Sequence, residues 1–235
     1  MRVLVTGSSG FLGTYLINKL IEKKIKFIGI DIKKNPYIKI KDFRKTDIRN
    51  LKDLNIIFSK NNINSVVHFA AIPGFDDCQK KPKLAFDTNV LGTNNLIYLL
   101  KKYNIKKFIF ISSFSTKNYF SKISTYGMTK FMGEQLIIND KLNYIANACI
   151  VRLSNVFGKY SLHKKSVVHQ FLKFFFKKKK LLIHDTGAQK RDLIYAGEVV
   201  NKILKLTKLK KFNKSIYEIS KKNTISINEL KTLID

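Results

Sequence analysis

A tyrosine and a lysine four positions apart, Tyr126 and Lys130, have the spacing in this sequence that most directly suggests chemistry. On a helix this spacing places both side chains on one face. A free tyrosine titrates near pH ~10 and is therefore a poor base at neutral pH. A neighbouring ammonium stabilises the phenolate and lowers the pKa of the phenol. The pair therefore predicts a general base that takes a proton from an alcohol.

A serine pair, Ser112 and Ser113, ends a predicted strand shortly before this helix. A hydroxyl at that point could bond the same substrate oxygen as the tyrosine. A tyrosine and a lysine at this spacing also arise by chance, because the chain has ten tyrosines and many lysines. The position after the strand adds weight, and we take Ser113, Tyr126 and Lys130 as the candidate catalytic residues.

Three glycines at intervals of three, Gly7, Gly10 and Gly13, join the first predicted strand to the first predicted helix. The first permits a tight turn, the second lets the backbone approach a pyrophosphate, and the third lets helix and strand pack closely. Backbone N–H groups at the helix start, at Phe11 and Leu12, then face the phosphate charge. The segment predicts a dinucleotide-binding turn, and a chance turn is the alternative.

An aspartate, Asp31, ends the second predicted strand, eighteen residues after Gly13. A carboxylate at this position can accept hydrogen bonds from the ribose of adenosine. It would repel a 2′-phosphate, so NAD is the expected cofactor. Lys33 and Lys34 lie close by and keep NADP as the alternative.

The elements that must position these residues alternate between short β-type runs and longer helical runs. Strands are predicted over 2–6, 26–31, 64–69, 107–112 and 146–153, and helices over 11–23, 84–103 and 126–138. Such alternation favours an α/β fold, a Rossmann-type doubly wound parallel sheet covered on both faces. After residue 158 the pattern loosens, with helices predicted over 166–176, 198–206 and 228–235 and extended segments over 181–184 and 191–194.

The charge of the chain is strongly basic, with a formal net charge of +29 over 235 residues. Such a charge suits nucleic acid or membrane surfaces. The lysines are scattered, however, and Ile, Asn, Phe and Tyr are also abundant, which indicates a compositional bias toward A/T-rich codons. No run of eighteen uncharged apolar residues occurs. We expect no nucleic-acid and no membrane partner, with RNA binding as the minor alternative.

Cysteines and histidines point to neither a disulfide framework nor a metal site. The two cysteines are too few for such a framework, which fits a reducing, cytoplasmic compartment. The four histidines lack metal-ligand spacing; they are His68, His163, His169 and His184. We expect no metal and a structural or surface role for these histidines.

Several further segments, in a consistent order, resemble motifs of the NAD-dependent epimerase/dehydratase family, a branch of the extended short-chain dehydrogenase/reductase superfamily. They are the glycine turn and the segments 47–49, 68–71, 89–93, 152–158 and 191–195. The likeness runs from residue 2 to about residue 230, nearly the whole chain. The resemblance implies a Rossmann fold, NAD as cofactor and a nucleotide-linked sugar as substrate.

The resemblance also implies roles for single residues. The implied cofactor contacts beyond the glycine turn and Asp31 are Asp47, Ile48, Phe69, Ala70, Ala71, Asn89, Tyr126, Lys130 and Ser154. The implied substrate contacts are Ser113, Asn155 for the diphosphate, and Arg191 for the nucleotide. Some of these residues have a structural alternative: Asp47 could cap a turn, Asn89 could be a surface amide, and Asn155 and Arg191 could be structural. Arg152, in the same motif as Asn155, could form a structural ion pair.

The sequence departs from the family pattern on the substrate side. Phe114 and Ser115 stand where a 4,6-dehydratase normally carries acids, which disfavours dehydration. The chain also ends where the family continues. We therefore expect a Rossmann domain over 1–158 that carries the catalytic residues. A small substrate-binding part over 159–235 would interleave with it and be short at its C-terminus.

The residues and the resemblance together predict an epimerase that oxidises a nucleotide-linked sugar transiently, with Tyr126 as the general base. One alternative is a net NAD(P)-dependent dehydrogenase or reductase on the same substrate class. Another is a catalytically silent NAD-binding protein. The family often dimerises through its two long helices, so a homodimer is also expected.

Overall fold

The computed structural model describes residues 2–117, 123–141, 147–161, 166–178, 183 and 186–234. The extended segment predicted over 181–184 lies outside these ranges apart from Ile183, as do His163 and His184. Within the described part of the chain, every helix is too short or too polar to cross a membrane.

Parallel strands form a central seven-stranded sheet, and three strands form a second, smaller sheet. The strands formed by the described residues are β1 (Arg2–Thr6), β2 (Lys26–Asp31), β3 (Phe43–Lys45), β4 (Ser65–His68), β5 (Lys107–Ser113), β6 (Asn147–Leu153), β7 (Asn155–Phe157), β8 (Lys190–Tyr195), β9 (Ile216–Ile219) and β10 (Thr224–Ser226). The central order is β3-β2-β1-β4-β5-β6-β9, with every neighbouring pair parallel. The strand order reverses between β1 and β4, which is where a doubly wound sheet binds its ligand.

Helices cover both faces of the central sheet. They are α1 (Phe11–Glu22), α2 (Leu51–Lys60), α3 (Phe75–Lys80), α4 (Pro82–Phe86), α5 (Gly92–Lys102), α6 (Thr125–Lys141), α7 (Val167–Phe176), α8 (Ala196–Lys208) and α9 (Ile227–Thr232). Side chains alternate along β1, so Val3 and Val5 pack under α1 and α8, while Leu4 packs under α2 and α5. Two buried cores result, one on each face, and the predicted doubly wound fold is confirmed.

The second sheet has the order β10-β8-β7, with β8 parallel to β7 and antiparallel to β10. Helices α7 and α9 pack together in a separate apolar cluster that includes Val168, Phe171, Ile227 and Leu230. Strand β9, by contrast, belongs to the central sheet, and α8 packs on α1. The part after residue 158 therefore contributes to both the small sheet and the main core.

The single helix predicted over 84–103 is wrong in detail. The chain forms α4, then a π-helical segment (Asp87–Leu91), then α5. The side chain of Asn89, inside that segment, bonds the backbone of Ile72 and the hydroxyl of Thr129. Widened turns of this kind occur where a helical side chain has a specific task, and this one joins two parts of the site.

Candidate active site

The side chain of Ser113, at the end of β5, faces the phenol of Tyr126, at the start of α6, and this contact lowers the pKa of the phenol. Ser113 is further held by the backbone N–H of Ser115, which donates to its Oγ at 3.1 Å. Lys130 lies one helical turn after Tyr126 and is 4% exposed. The structure therefore brings the three predicted catalytic residues together.

Burial has the largest effect on the pKa values of Tyr126 and Lys130. It raises the pKa of Tyr126 to about 12, against the opposing effect of the hydrogen bond from Ser113. It lowers the pKa of Lys130 to about 8, although Glu134 and Cys78 act in the other direction. The lysine Nζ lies 4.4 Å from the centroid of the Phe110 ring. Because burial raises the pKa of Tyr126, a phenolate at this site needs a positive charge close to the tyrosine oxygen.

The glycine turn has the geometry of an anion cradle. Gly7 has φ +68°, a conformation that favours glycine. A Cβ on Gly13 would lie 2.0 Å from the carbonyl oxygen of Gly7, so the start of α1 packs directly on the turn. A Cβ on Gly10 would meet only the Gly7 oxygen, at 3.2 Å, which leaves its outer side open. A pyrophosphate can therefore approach the backbone and the helix start at Gly10.

The carboxylate of Asp31 lies beside this turn. Its Oδ2 accepts a hydrogen bond from the N–H of Ser9 at 3.0 Å, and its Oδ1 accepts one from Lys33. Burial raises the pKa of this carboxyl, and the backbone hydrogen bonds oppose that rise. Asp31 thus stands at the end of β2, next to the glycine turn, as its predicted role requires.

The ends of β1 and β4 meet at the same edge of the sheet. The N–H of Ala70 donates to the Thr6 hydroxyl, and a Cβ on Gly7 would lie 2.6 Å from the nitrogen of Ala70. Phe69, Ala70 and Ala71 are half-buried here. Ile48, by contrast, is buried against α5, where a Cβ on Gly92 would lie 2.6 Å from its Cδ1.

Three predicted cofactor residues already have protein partners. Asp47 makes an ion pair with Arg49 at 2.5 Å and caps a turn, and this pair lowers the pKa of the Asp47 carboxyl. Asn89 is buried and bridges two parts of the site, so it is no surface amide. The hydroxyl of Ser154 donates to Asp192 at 2.9 Å.

Two of the predicted substrate residues, Asn155 and Arg191, lie on the small sheet, whereas Ser113 ends β5 of the central sheet. Asn155 pairs with Leu193 across β7 and β8, and Arg191 stands two residues before Leu193 on β8. Side chains two residues apart on a strand point to the same face, so Asn155 and Arg191 share one. Both are exposed.

A model of the NAD dependent epimerase/dehydratase family matches residues 3–220. This chain belongs to that family. Its members are NAD-dependent enzymes, so the expected family and, at the family level, the expected cofactor are confirmed.

Relatives and solved structures with names from this family resemble the chain over its whole length. A putative UDP-glucose 4-epimerase of Methanocaldococcus jannaschii is 31% identical, over 99% of this chain and 81% of its own length. The structure of UDP-glucose 4-epimerase from Thermotoga maritima with UDP-glucose is 25% identical, with a TM-score of 0.90 over 100% of this chain and 81% of that one. The Bacillus cereus UDP-glucuronic acid 4-epimerase, solved with UDP-glucuronic acid and NAD, is 26% identical, with a TM-score of 0.85 over 100% and 82%.

Two acidic residues at the site, Glu134 and Asp192, carry contacts that no sequence motif indicated. Buried Glu134 bonds Arg152, which confirms the structural ion-pair alternative for that arginine. Asp192 accepts hydrogen bonds from Ser154 and from the backbone of the turn after β9. The spacing of Glu134, four residues after Lys130, is the one sequence signal that could have indicated its role.

The histidines with described surroundings have polar protein partners. His68 is buried between the hydroxyls of Thr6 and Thr93, and burial holds its pKa well below the usual value. His169 bonds Ser161 and Ser166. Among the residues with described positions, no three His, Cys, Asp or Glu side chains cluster as metal ligands would.

Proposed function

We propose that this protein epimerises a nucleotide-linked sugar, using NAD that is regenerated in each turnover. The observation that carries the proposal is that Ser113 and Tyr126 face each other next to Lys130, at the carboxyl edge that also holds the glycine turn. Relatives that resemble the whole chain are named as 4-epimerases of UDP-sugars, which supports this substrate class.

Tyr126 acts as the base that removes the proton from a sugar hydroxyl. The Ser113 hydroxyl binds the same oxygen and holds it against the phenol. Lys130, as an ammonium, stabilises the phenolate, because an opposite charge one helical turn away favours the ionised form. Tyr126 returns the proton when the ketone is reduced, so the residue finishes the cycle as it began.

The residues around the glycine turn fit a dinucleotide. Gly10 leaves its backbone open to a pyrophosphate, and Asp31 offers a carboxylate to the adenosine ribose. NAD, when bound there, supplies the hydride acceptor and donor for the sugar carbon. Asn155 and Arg191, on one face of the small sheet, would bind the diphosphate and nucleotide of the substrate.

The residues that follow Ser113 favour epimerisation over dehydration. The Phe114 ring lies under the Nζ of Lys117, 4.0 Å from its centroid, and Ser115 bonds Ser113. Neither position provides a carboxylic acid that could protonate a leaving hydroxyl.

The test uses purified protein, NAD and a panel of UDP-, dTDP- and GDP-hexoses. Chromatography and NMR of the sugar should show one substrate converting to its epimer, with no accumulation of NADH by absorbance. Stoichiometric NADH would instead establish the net dehydrogenase. Tight NAD binding without any turnover across the panel would leave the silent NAD-binding protein.

We also propose that the protein is a homodimer through the outer faces of α5 and α6. Leu91 directly before α5, Tyr98 on α5 and Met128 on α6 are each about half exposed, and a second copy would cover these apolar side chains. Light scattering of the wild type should give a molar mass twice that of one chain. The Tyr98→Glu variant should give the mass of a single chain. A monomeric mass for the wild type would contradict this.

The cysteines support a cytoplasmic location. Cys78 and Cys149 are both buried and are not joined in a disulfide. Free thiols persist in reducing compartments. Fractionation of the source cells with an antibody should find the protein with cytoplasmic markers.

A further inference from the structure

A carboxylate, Glu134, lies buried one helical turn beyond Lys130 and is 0% exposed. Residues four apart on a helix share a face, so α6 presents Tyr126, Lys130 and Glu134 in a row. The Phe110 ring of β5 lies under this row: a Cβ on Gly133 would be 2.7 Å from its Cζ.

Glu134 contacts residues on both sides of Ser113 in the chain, Ser112 before it and Thr116 after it. Its Oε1 accepts from the hydroxyl of Ser112 at 2.5 Å, and lies 3.2 Å from the hydroxyl of Thr116. Thr116 also donates to the carbonyl of Ser113 at 2.8 Å. One side chain of α6 is thus bonded to the residue before Ser113 and to the turn after it.

The third partner of Glu134 is Arg152 on β6. Arg152 donates from Nε at 3.0 Å and from Nη2 at 2.6 Å, a two-point contact with both carboxylate oxygens. Replacing a buried ion pair by apolar residues is often neutral or stabilising, so such a pair is weak evidence of a role in stability. The position of the Glu134–Arg152 pair beneath the site is better explained by a role in positioning the neighbouring side chains and their charges.

The charged and titratable groups that face Lys130 come from several elements. On α6 itself they are Tyr126 and Glu134, while α3 brings Cys78 and β4 brings His68. Arg152, from β6, faces Glu134. Glu134 is the carboxylate of this group, and it opposes the burial that would strip the lysine of its proton.

We propose that Glu134 is a positioning residue of the epimerase site, which keeps Lys130 protonated and holds Ser113 in register with Tyr126. The proposal rests on the proposed function for its catalytic consequence. Its electrostatic part concerns the cofactor-free protein and can be measured without turnover.

The test follows the ¹³Cε resonance of Lys130 through a pH titration of the cofactor-free protein, assigned with Lys130→Arg. In Glu134→Gln the pKa of Lys130 should fall by about one unit, since an opposite charge has been removed. The matched control is Asp140→Asn, which removes the carboxylate of the Lys101–Asp140 ion pair farther along the same helix. It should leave the titration of Lys130 unchanged.

A second variant should shift the pKa of Lys130 in the opposite direction. Arg152→Met leaves the Glu134 charge without its cation, so the pKa of Lys130 should rise. This variant also keeps the test decisive if Glu134→Gln fails to fold. An unchanged Lys130 titration in whichever of the two folds would overturn the proposal.

Turnover gives a separate readout. If the rate follows the ammonium form of Lys130, Glu134→Gln should lose about fivefold in kcat at pH ~8 and regain most of it at lower pH. A uniform loss at all pH values would mean that Glu134 only supports the fold. If wild-type protein epimerises nothing, the proposed function fails, while the NMR titration still decides the electrostatic role of Glu134.

Discussion

The carboxylate of Asp31 accepts a hydrogen bond from the backbone N–H of Ser9, with 3.0 Å between the two heavy atoms. This bond fixes the acid at the end of β2 against the loop between Gly7 and Gly10. Asp31, which we propose binds the ribose, is therefore tied directly to the turn that we propose binds the pyrophosphate. Specificity for the cofactor should depend on this single side chain.

Replacing Asp31 by Asn should weaken NAD binding by about tenfold or more, because hydrogen bonds to a charged group contribute about 1.5–3 kcal/mol. NADP binding should improve, since the repulsion of its 2′-phosphate is removed while Lys33 remains. Calorimetric titration with NAD and with NADP measures the ratio of the two dissociation constants. Asp53→Asn, an exposed carboxylate on α2, is the control. Equal losses for NAD and NADP would contradict the assignment.

Two glycines of the turn should respond differently to alanine. Gly13→Ala places a methyl group 2.0 Å from the Gly7 oxygen, so the protein should lose about 1–3 kcal/mol of stability. Gly10→Ala meets only one atom at 3.2 Å and should keep its stability while losing NAD affinity. Urea unfolding and NAD titration of both variants test the pair. Similar stability losses would show that the turn is tight throughout.

Removing the phenol of Tyr126 should separate chemistry from binding. Tyr126→Phe should lower kcat by about 10²–10⁴-fold, the usual contribution of a general base. NAD affinity should change little, because the turn and Asp31 are untouched. Tyr98→Phe, on the exposed side of α5, controls for loss of a phenol. Retained turnover in Tyr126→Phe would remove this residue from the mechanism.

The low pKa of Lys130 should make the free energy of unfolding depend on pH. Burial lowers this pKa to about 8 from the ordinary 10.5, so between these values the unfolded chain binds more protons at this residue. The contribution of Lys130 to the free energy of unfolding therefore rises with pH, by up to about 1.4 kcal/mol per unit. Urea unfolding of wild type and Lys130→Met from pH ~8 to pH ~10 measures it, because other groups cancel in the difference. A pH-independent difference would show that Lys130 titrates normally.

Local sequence patterns were sufficient to predict the long helices and strands in which apolar residues recur at regular intervals. Strands β1 and β2 have the predicted bounds, and α1 and α6 differ only at their ends. Two short edge strands, β3 and β10, carry too few apolar residues for a two-residue alternation to show. Helix α2 was missed although Asn50 caps its start by accepting from the N–H of Asp53, a signal visible in the sequence.

The fold class, the glycine turn, the acid at the end of β2 and the spacing of Tyr126 and Lys130 can all be inferred from residues close together in the chain. The packed fold was needed to show that Glu134 and Arg152 meet beneath the site, that Asn89 bridges Ile72 and Thr129, and that Ser113 faces Tyr126. Those contacts join separate strands and helices. Their geometry is set by how the sheet and its covering helices pack, which local residue patterns do not encode.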